Sequence, residues 1–459
     1  MTLAQHLRAT LTIGGPLIGG QLAQTLITLT DTLMMGWYGA EELAAVALGG
    51  SYFHVVLILG MGFGLAVMPM VAAAASNEDV QAVRRVTRMG LWIGILFSLA
   101  ILPALWFSGA ILLALGQAPQ IASDAQDYLR IAGLAILPAV LGLVLRSHLS
   151  ALERPRIVLW AWLGGAALNA GMNWVLIFGN LGAPELGIQG AALASLGTQI
   201  LIFIVLAVFA ARARGLSRYT LFARFWRPDP EVFASVFRLG WPISLTLLAE
   251  SGLFVGTMIM MGWIGTVEIA AHGIALQIVS VTFMVHIGLS SAATVRAGHA
   301  WARGDAEGLR LAAIAALMLS GLMVAVTILL LVTVPGLLVG LFVEPGDPLR
   351  PEIVALGAQL LIVAAFFQLA DAAQVMALGL LRGVQDTRVP MIHAVVSYWL
   401  VGMPAAYLLG FEAGFGAPGI WWGLVVGLVL AGGLMMARFW RGAARRAVPR
   451  PPLEMPPAT

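Results

Sequence analysis

Three carboxylates stand inside long apolar stretches of this chain: Asp31, Glu250 and Asp371. A charge at mid-membrane costs roughly 2.5–3.5 kcal/mol on insertion scales, so such a residue is kept where it faces a cavity or an ion path. No Arg is expected at the depth of these three acids. A buried carboxylate without a basic partner takes up a proton near neutral pH, or holds a cation instead. Asp31 shares the first half of the chain with Asn169 and Asn173, which are four residues apart and so lie on one helix face. One carboxylate with two amides can hold a proton or a small cation, or bind a cationic amine directly. Glu250 and Asp371 fall on different helices of the second half, where they could converge on a cation. Gln277, Gln368 and Tyr398 are further polar side chains in apolar surroundings, and ordinary polar packing accounts for them at least as well as a site does.

The side chains that are missing narrow the chemistry. The chain has no Cys, which removes disulfides, thiolate nucleophiles and Cys-ligated metals. It also has no Lys, so all 25 basic residues are Arg. That excludes a Walker A phosphate loop and a Schiff-base lysine. Neither a His-Glu-x-x-His helix nor a paired-aspartate prenyl-diphosphate motif occurs, and an enzyme is not expected. No organic cofactor is expected either; the power source that remains is an ion gradient.

These acids must be positioned by membrane helices. Of 459 residues 60% are hydrophobic and 10% charged, against about 25% charged in soluble domains. So few charges cannot cover a water-facing surface of this size. Twelve continuously apolar segments lie near 11–38, 44–75, 89–115, 126–150, 157–180, 187–211, 239–264, 269–298, 309–341, 354–382, 389–411 and 417–440. Continuous rather than alternating apolar runs predict helices, not a barrel. The second and eighth exceed the membrane's need. The first runs past Asp31 to Trp37, too long for the apolar core of a signal peptide. Pro16 and Pro242 fall near span starts, where proline is tolerated, whereas Pro138 and Pro404 fall inside spans and should bend them. Of the 25 Arg, 23 fall on one side of these spans, including Arg146 and Arg382 as flanking residues. The positive-inside rule therefore puts both termini in the cytoplasm. The basic excess is topological and calls for no nucleic-acid partner.

The chain also repeats itself. Residues 16–44 align with 242–270 without a gap: Pro16 meets Pro242, and Met35-Gly36-Trp37 meets Met261-Gly262-Trp263. Further on, at an offset of 232, Gly187-Ile188 meets Gly419-Ile420. Six spans per half give a parallel repeat about an axis along the membrane normal. The expected domains are an N-terminal six-helix lobe (1–211), a cytoplasmic linker (212–238), a C-terminal six-helix lobe (239–441) and a cytoplasmic tail (442–459). Phe222, Phe225, Trp226 and Phe233 predict an amphipathic linker segment lying on the membrane surface. The acids do not follow the repeat: Glu250 aligns with Gln24, Asp31 with Thr257 and Asp371 with Ala139.

Longer stretches carry a family resemblance. They are Asp31-Thr-Leu-Met-Met-Gly36, Leu168-Asn-Ala-Gly-Met-Asn-Trp-Val-Leu-Ile-Phe-Gly179, Ala249-Glu-Ser-Gly-Leu-Phe254, Ala270-Ala-His272, Phe367-Gln-Leu-Ala-Asp-Ala-Ala-Gln374, Leu381-Arg-Gly383 and Asp386-Thr-Arg388. In order and spacing, over nearly the whole chain, this resembles the MATE family of multidrug and toxic-compound extruders, in its NorM-like branch. The resemblance implies an all-α integral membrane fold of twelve helices, in two pseudo-symmetric six-helix bundles around a central cleft. It implies a bacterial inner-membrane antiporter, acting as a monomer among membrane lipids. Drugs or toxic organic cations would leave in exchange for inward Na⁺ or H⁺. Asp31, with Asn169 and Asn173, looks like the first-lobe acid site; Glu250 and Asp371 look like the cation site, and would hold Na⁺ in a sodium-coupled protein. Ser51 matches a cavity-lining position. Gly273 stands where relatives often carry Gln after His272, so that polar contact is absent or supplied by Gln277. A lipid-linked oligosaccharide flippase of the same superfamily is the alternative. It would need basic residues in the cavity, and the span interiors are expected to hold none.

Overall fold

The computed structural model describes residues 1–445. Most of the expected tail, with Arg446 and Arg450, lies outside the described residues. Among the described residues every regular element is helical. Twelve long helices follow in order: α1 (Leu3–Tyr38), α2 (Ala40–Ser76), α3 (Val80–Trp106), α4 (Pro119–Ala151), α5 (Arg156–Phe178), α6 (Gly187–Arg212), α7 (Pro230–Ile264), α8 (Thr266–Ala302), α9 (Ala306–Thr333), α10 (Arg350–Gly383), α11 (Arg388–Glu412) and α12 (Gly416–Ala443). Length and composition alone suit α2 to α12 for crossing a membrane. The exception, α1, carries His6, Arg8, Gln21, Gln24, Asp31 and six threonines within its span. Five of those threonines, Thr10, Thr12, Thr25, Thr30 and Thr32, give their hydroxyl to the carbonyl four residues back. That local bond satisfies the hydroxyl inside the helix and lets α1 serve as the twelfth span.

Helices α2 and α8 are 37 residues each. At 1.5 Å per residue that is about 55 Å, well beyond the roughly 30 Å hydrocarbon layer. The repeat is written into the backbone as well as the sequence. Asp79 and Asp305 cap α3 and α9 by accepting from Ala82 N at 2.8 Å and Gly308 N at 2.7 Å. Each satisfies an orphan amide of the first turn. Glu78 and Gly304 have φ of 57° and 66°, Glu153 and Gln385 of 57° and 58°. These pairs stand 226 or 232 residues apart, as the aligned segments do.

Contacts divide the chain into two compact units, Gly19–Ser244 and Met1–Ile18 with Leu245–Thr459. The divide runs through α1 and α7 rather than through the linker. It falls two residues after Pro16 and two after Pro242, so it too obeys the 226-residue offset. Both prolines sit well inside their helices, not near the starts. The polar-looking stretches before them are helical because each has a buried stripe at i, i+4, i+7 and i+11. In α1 the stripe is His6, Thr10, Ile13 and Leu17; in α7 it is Val232, Val236, Leu239 and Ile243. Helix α4 takes a tight turn at Gly133–Ala135 ahead of Pro138, and α11 a wide π turn at Val396–Gly402 ahead of Pro404. Both adjust the ladder where proline removes a donor.

Of the linker aromatics, Phe222, Phe225 and Trp226 lie in turns, while Phe233 belongs to the first turn of α7. Residues 221–226 form turns, with Thr220 and Arg224 at φ of 42° and 52°. The carbonyls of Arg224 and Phe225 accept from Arg88 (3.1 Å) and from the Trp92 indole (2.8 Å), while Phe225 stacks on Trp92. Asp229 pairs with Arg85 and lies 3.9 Å from Arg88. The α3 side chains thus claim the backbone groups that a helix would have used.

Candidate functional site

Within the unit Gly19–Ser244, Asp31 of α1 is half-buried and surrounded by neutral donors. Asn169 and Asn173 of α5 donate to its Oδ1 at 3.0 and 2.6 Å. Asn173 also donates to Asn169 Oδ1 at 3.2 Å, and both asparagines are fully buried. Ser195 of α6 donates to Asp31 Oδ2 at 3.3 Å. Tyr128 of α4 stands beside Ser195 and within reach of the Asp31 charge. Four helices therefore hold one carboxylate with both oxygens engaged. The expected trio of Asp31, Asn169 and Asn173 comes together. Ser195 and Tyr128 had no distinguishing mark in the sequence, because serines and tyrosines in apolar runs are commonplace.

In the other unit, Glu250 of α7 and Asp371 of α10 do converge. They are 7% and 1% exposed and close enough for their charges to interact. Gln374, one turn beyond Asp371, and Tyr398, set in the wide turn of α11, complete the group, both fully buried. The Trp399 indole donates to the Ala249 carbonyl at 3.2 Å, fastening that turn to α7 beside Glu250. This group is short of hydrogen bonds. Glu250 Oε1, Asp371 Oδ1 and the Ser397 hydroxyl have no partner, and the Gln374 amide lies beside the Tyr398 hydroxyl. Buried polar atoms are normally satisfied. With Gln374 Oε1 and the Tyr398 hydroxyl, these make five oxygens on three helices, a cradle suited to a hard cation.

Two of the expected flanking arginines stand near the C-terminal ends of their helices. Arg146 of α4 is only 8% exposed, and Arg382 of α10 lies within electrostatic range of Glu250 without bonding to its Oε1. Helical spacing accounts for the second. Residues eleven apart differ by about 20° around a helix, so Arg382 shares a stripe with Asp371. Helix side chains also lean toward the N-terminus, here toward Asp371. Arg382 stands in the last turn of α10, the flanking position expected of it.

The remaining expected residues stay outside both groups. Ser51 gives its hydroxyl to its own helix, at Ala47 O (2.8 Å), and Gln277 is exposed. Gln368 is buried and bonds to Thr282. His272 accepts from Trp421 at 3.1 Å in the packed core, and Gly273 has open space where a side chain would stand. No group of three or more His, Cys, Asp or Glu residues placed to hold a metal ion occurs among the described residues.

Known proteins resemble this chain over nearly its whole length. The family model described as MatE matches twice, over residues 16–175 and 242–408. A probable multidrug resistance protein NorM of Rhizobium meliloti is 45% identical, over 95% of this chain and 93% of that protein. The multidrug resistance protein NorM of Burkholderia vietnamiensis is 35% identical, over 95% and 94%. Among solved structures, the outward-facing conformation of a multidrug resistance MATE family transporter superposes with a TM-score of 0.86 at 19% identity, covering 97% of this chain and 99% of that one. A eukaryotic MATE transporter, AtDTX14, gives 0.84 at 19%, covering 97% and 98%. At these identities the structures speak for the fold alone: an all-α, multi-pass membrane protein.

Proposed function

The chain belongs to the MatE family, and on that premise we propose a secondary active multidrug efflux transporter, exporting lipophilic, often cationic compounds in exchange for inward Na⁺ or H⁺. The names of its full-length relatives support drug export. One observation carries the ion coupling: two buried carboxylates, Glu250 and Asp371, each with an oxygen left without a hydrogen bond. Glu250, Asp371, Gln374 and Tyr398 would hold the ion, which supplies the driving charge when bound. The neutral donors around Asp31 make it the complementary station, able to pass a proton or meet a cationic drug. At 100 mV one inward charge supplies about 2.3 kcal/mol. That work exports drug only if ion and drug favour opposite conformations. We place the protein in a bacterial inner membrane with both termini cytoplasmic, acting as a monomer without an organic cofactor and without enzymatic chemistry.

The test is efflux of ethidium, a fluorescent organic cation, from inside-out and right-side-out vesicles. Na⁺ and pH gradients are imposed independently. One of the two gradients should accelerate efflux; equal rates with and without both would sink the coupling. A flippase for a lipid-linked anion is favoured by one observation, the buried Arg146 in α4. Transfer of a lipid-linked pyrophosphate sugar across the same vesicles, with no ethidium efflux, would select it.

A further inference from the structure

We propose that Arg146 and the open space beside Gly142 form a site for one small monovalent anion, of the size and charge of chloride, inside the unit Gly19–Ser244. The inference is independent of the cation-site reading above.

Arg146 is 8% exposed and stands on α4, which packs against α2, α3 and α6 of the same unit. Its neighbours along the helix, Val144, Leu145 and Leu149, are buried apolar side chains. Its Nε is shut off from solvent without a partner. Among the described residues no hydrogen bond, ion pair or aromatic ring engages the guanidinium. Arg88 shows the contrast. It too is buried, yet it donates to the Arg224 carbonyl at 3.1 Å and lies 3.9 Å from Asp229. Buried charges are retained when they are paired, and Arg cannot shed its charge by losing a proton. Relief for Arg146 therefore comes from an anion that the chain itself does not supply.

The space for that anion is one turn away. Gly142 is buried, yet a Cβ built there would meet no heavy atom within 4 Å, the Arg146 side chain included. Gly142 and Arg146 are four residues apart and share a face of α4. Helix side chains lean toward the N-terminus, which carries the guanidinium over the turn that holds Gly142. The repeat adds a second argument. At the offset of 232, Ala139, Gly142 and Arg146 meet Asp371, Gln374 and Leu378. The stripe that carries a carboxylate and an amide in one half carries two small residues and a guanidinium in the other. Its sign is reversed, and so is the sign of the ligand it suits.

Charge and size select the class. One positive charge is balanced by one negative charge, whereas sulfate or pyrophosphate would leave an excess in surroundings where net charge is heavily penalised. A lipid phosphodiester carries one charge, but it needs a wider opening than a side chain 8% exposed provides.

The experiment uses purified full-length protein in detergent, with chloride replacing gluconate at constant ionic strength. Bound ³⁶Cl⁻ is measured by equilibrium dialysis, and Tm is followed alongside. The parent should bind one chloride saturably, with Tm rising as the site fills. Arg146→Gln should bind none and lose the chloride dependence of Tm. Gly142→Leu, which keeps the guanidinium and fills the space, should also bind none. Bromide should displace the bound chloride; sulfate and inorganic pyrophosphate should not. A parent with no saturable ³⁶Cl⁻ and the same Tm in chloride and gluconate overturns the proposal, even if no variant folds. So does unchanged binding in Arg146→Gln or in Gly142→Leu, which would put the chloride elsewhere. Displacement by inorganic pyrophosphate overturns it in favour of a lipid-linked anion, and displacement by dioleoylphosphatidylglycerol in mixed micelles in favour of a lipid headgroup.

Discussion

Asp31 and the Glu250–Asp371 pair occupy the two halves of one duplicated chain, yet their surroundings differ in kind. Asp31 receives three hydrogen bonds from neutral donors and has no base beside it. The acid pair has unbonded oxygens and a guanidinium within electrostatic reach. At the repeat offsets Asn169, Asn173 and Ser195 meet Val401, Ala405 and Gly427, while Gln374 and Tyr398 meet Gly142 and Ala166. Neither half could build the other's site. Gly427 has a steric reason as well: a Cβ there would stand 3.0 Å from Gly402 Cα, where α11 and α12 pack closely. Duplication kept the scaffold, and the two interiors diverged into a pre-satisfied carboxylate and an unsatisfied pair. The first is ready to hold its geometry, the second to receive a ligand.

The largest expected effect lies in the unsatisfied pair. Glu250→Gln or Asp371→Asn should remove the work of one charge, about 2.3 kcal/mol at 100 mV, or about 50-fold in the ethidium gradient that vesicles sustain. Normal ion-driven accumulation in both variants would erase the contrast between the halves.

Asn173→Ala takes two bonds from the satisfied site and leaves Asp31 partly uncovered. A cost of about 1–3 kcal/mol is expected, seen as a lower Tm in detergent. The loss should be smaller for Glu250→Gln, which keeps the volume and whose Oε1 has no bond to lose. Equal losses would mean that the two sites are equally satisfied.

Asp229 offers a control outside the membrane. Burial would raise its carboxyl, but the hydrogen bonds and charge of Arg85, with Arg88, outweigh burial and hold it below its ordinary value. Stabilisation from a depressed carboxyl is present above the unfolded value, about 3.9. It fades as pH falls through the lower folded value. Asp229→Asn should therefore cost about 1 kcal/mol at pH 7, a figure reduced for solvent screening. In Tm measured against pH, the gap to the parent should close below about pH 3.9.

Smaller effects refine the picture. Ser195→Ala removes the longest bond to Asp31 and should cost about 0.6 kcal/mol, with ethidium efflux reduced about threefold. Ser51→Ala should change neither Tm nor efflux, since its hydroxyl is spent on its own helix.

Much of the architecture could be read from the chain alone. Apolar length and continuity determine helices and their number, because lipid leaves backbone groups no partner outside a helix. The repeat determined that the halves correspond, and the absence of Lys and Cys removed whole chemistries. The three acids announced themselves through the cost of charge in hydrocarbon. Tertiary structure decided the rest, since it depends on which faces meet. It recruited Ser195 and Tyr128 to Asp31, left Ser51 and Gln277 aside, and docked residues 221–226 of the linker as turns. It also brought Glu250 and Asp371 together from different helices. Depth along the sequence ranks a residue by its neighbours in the chain; charge balance depends on neighbours in space, and only packing supplies those.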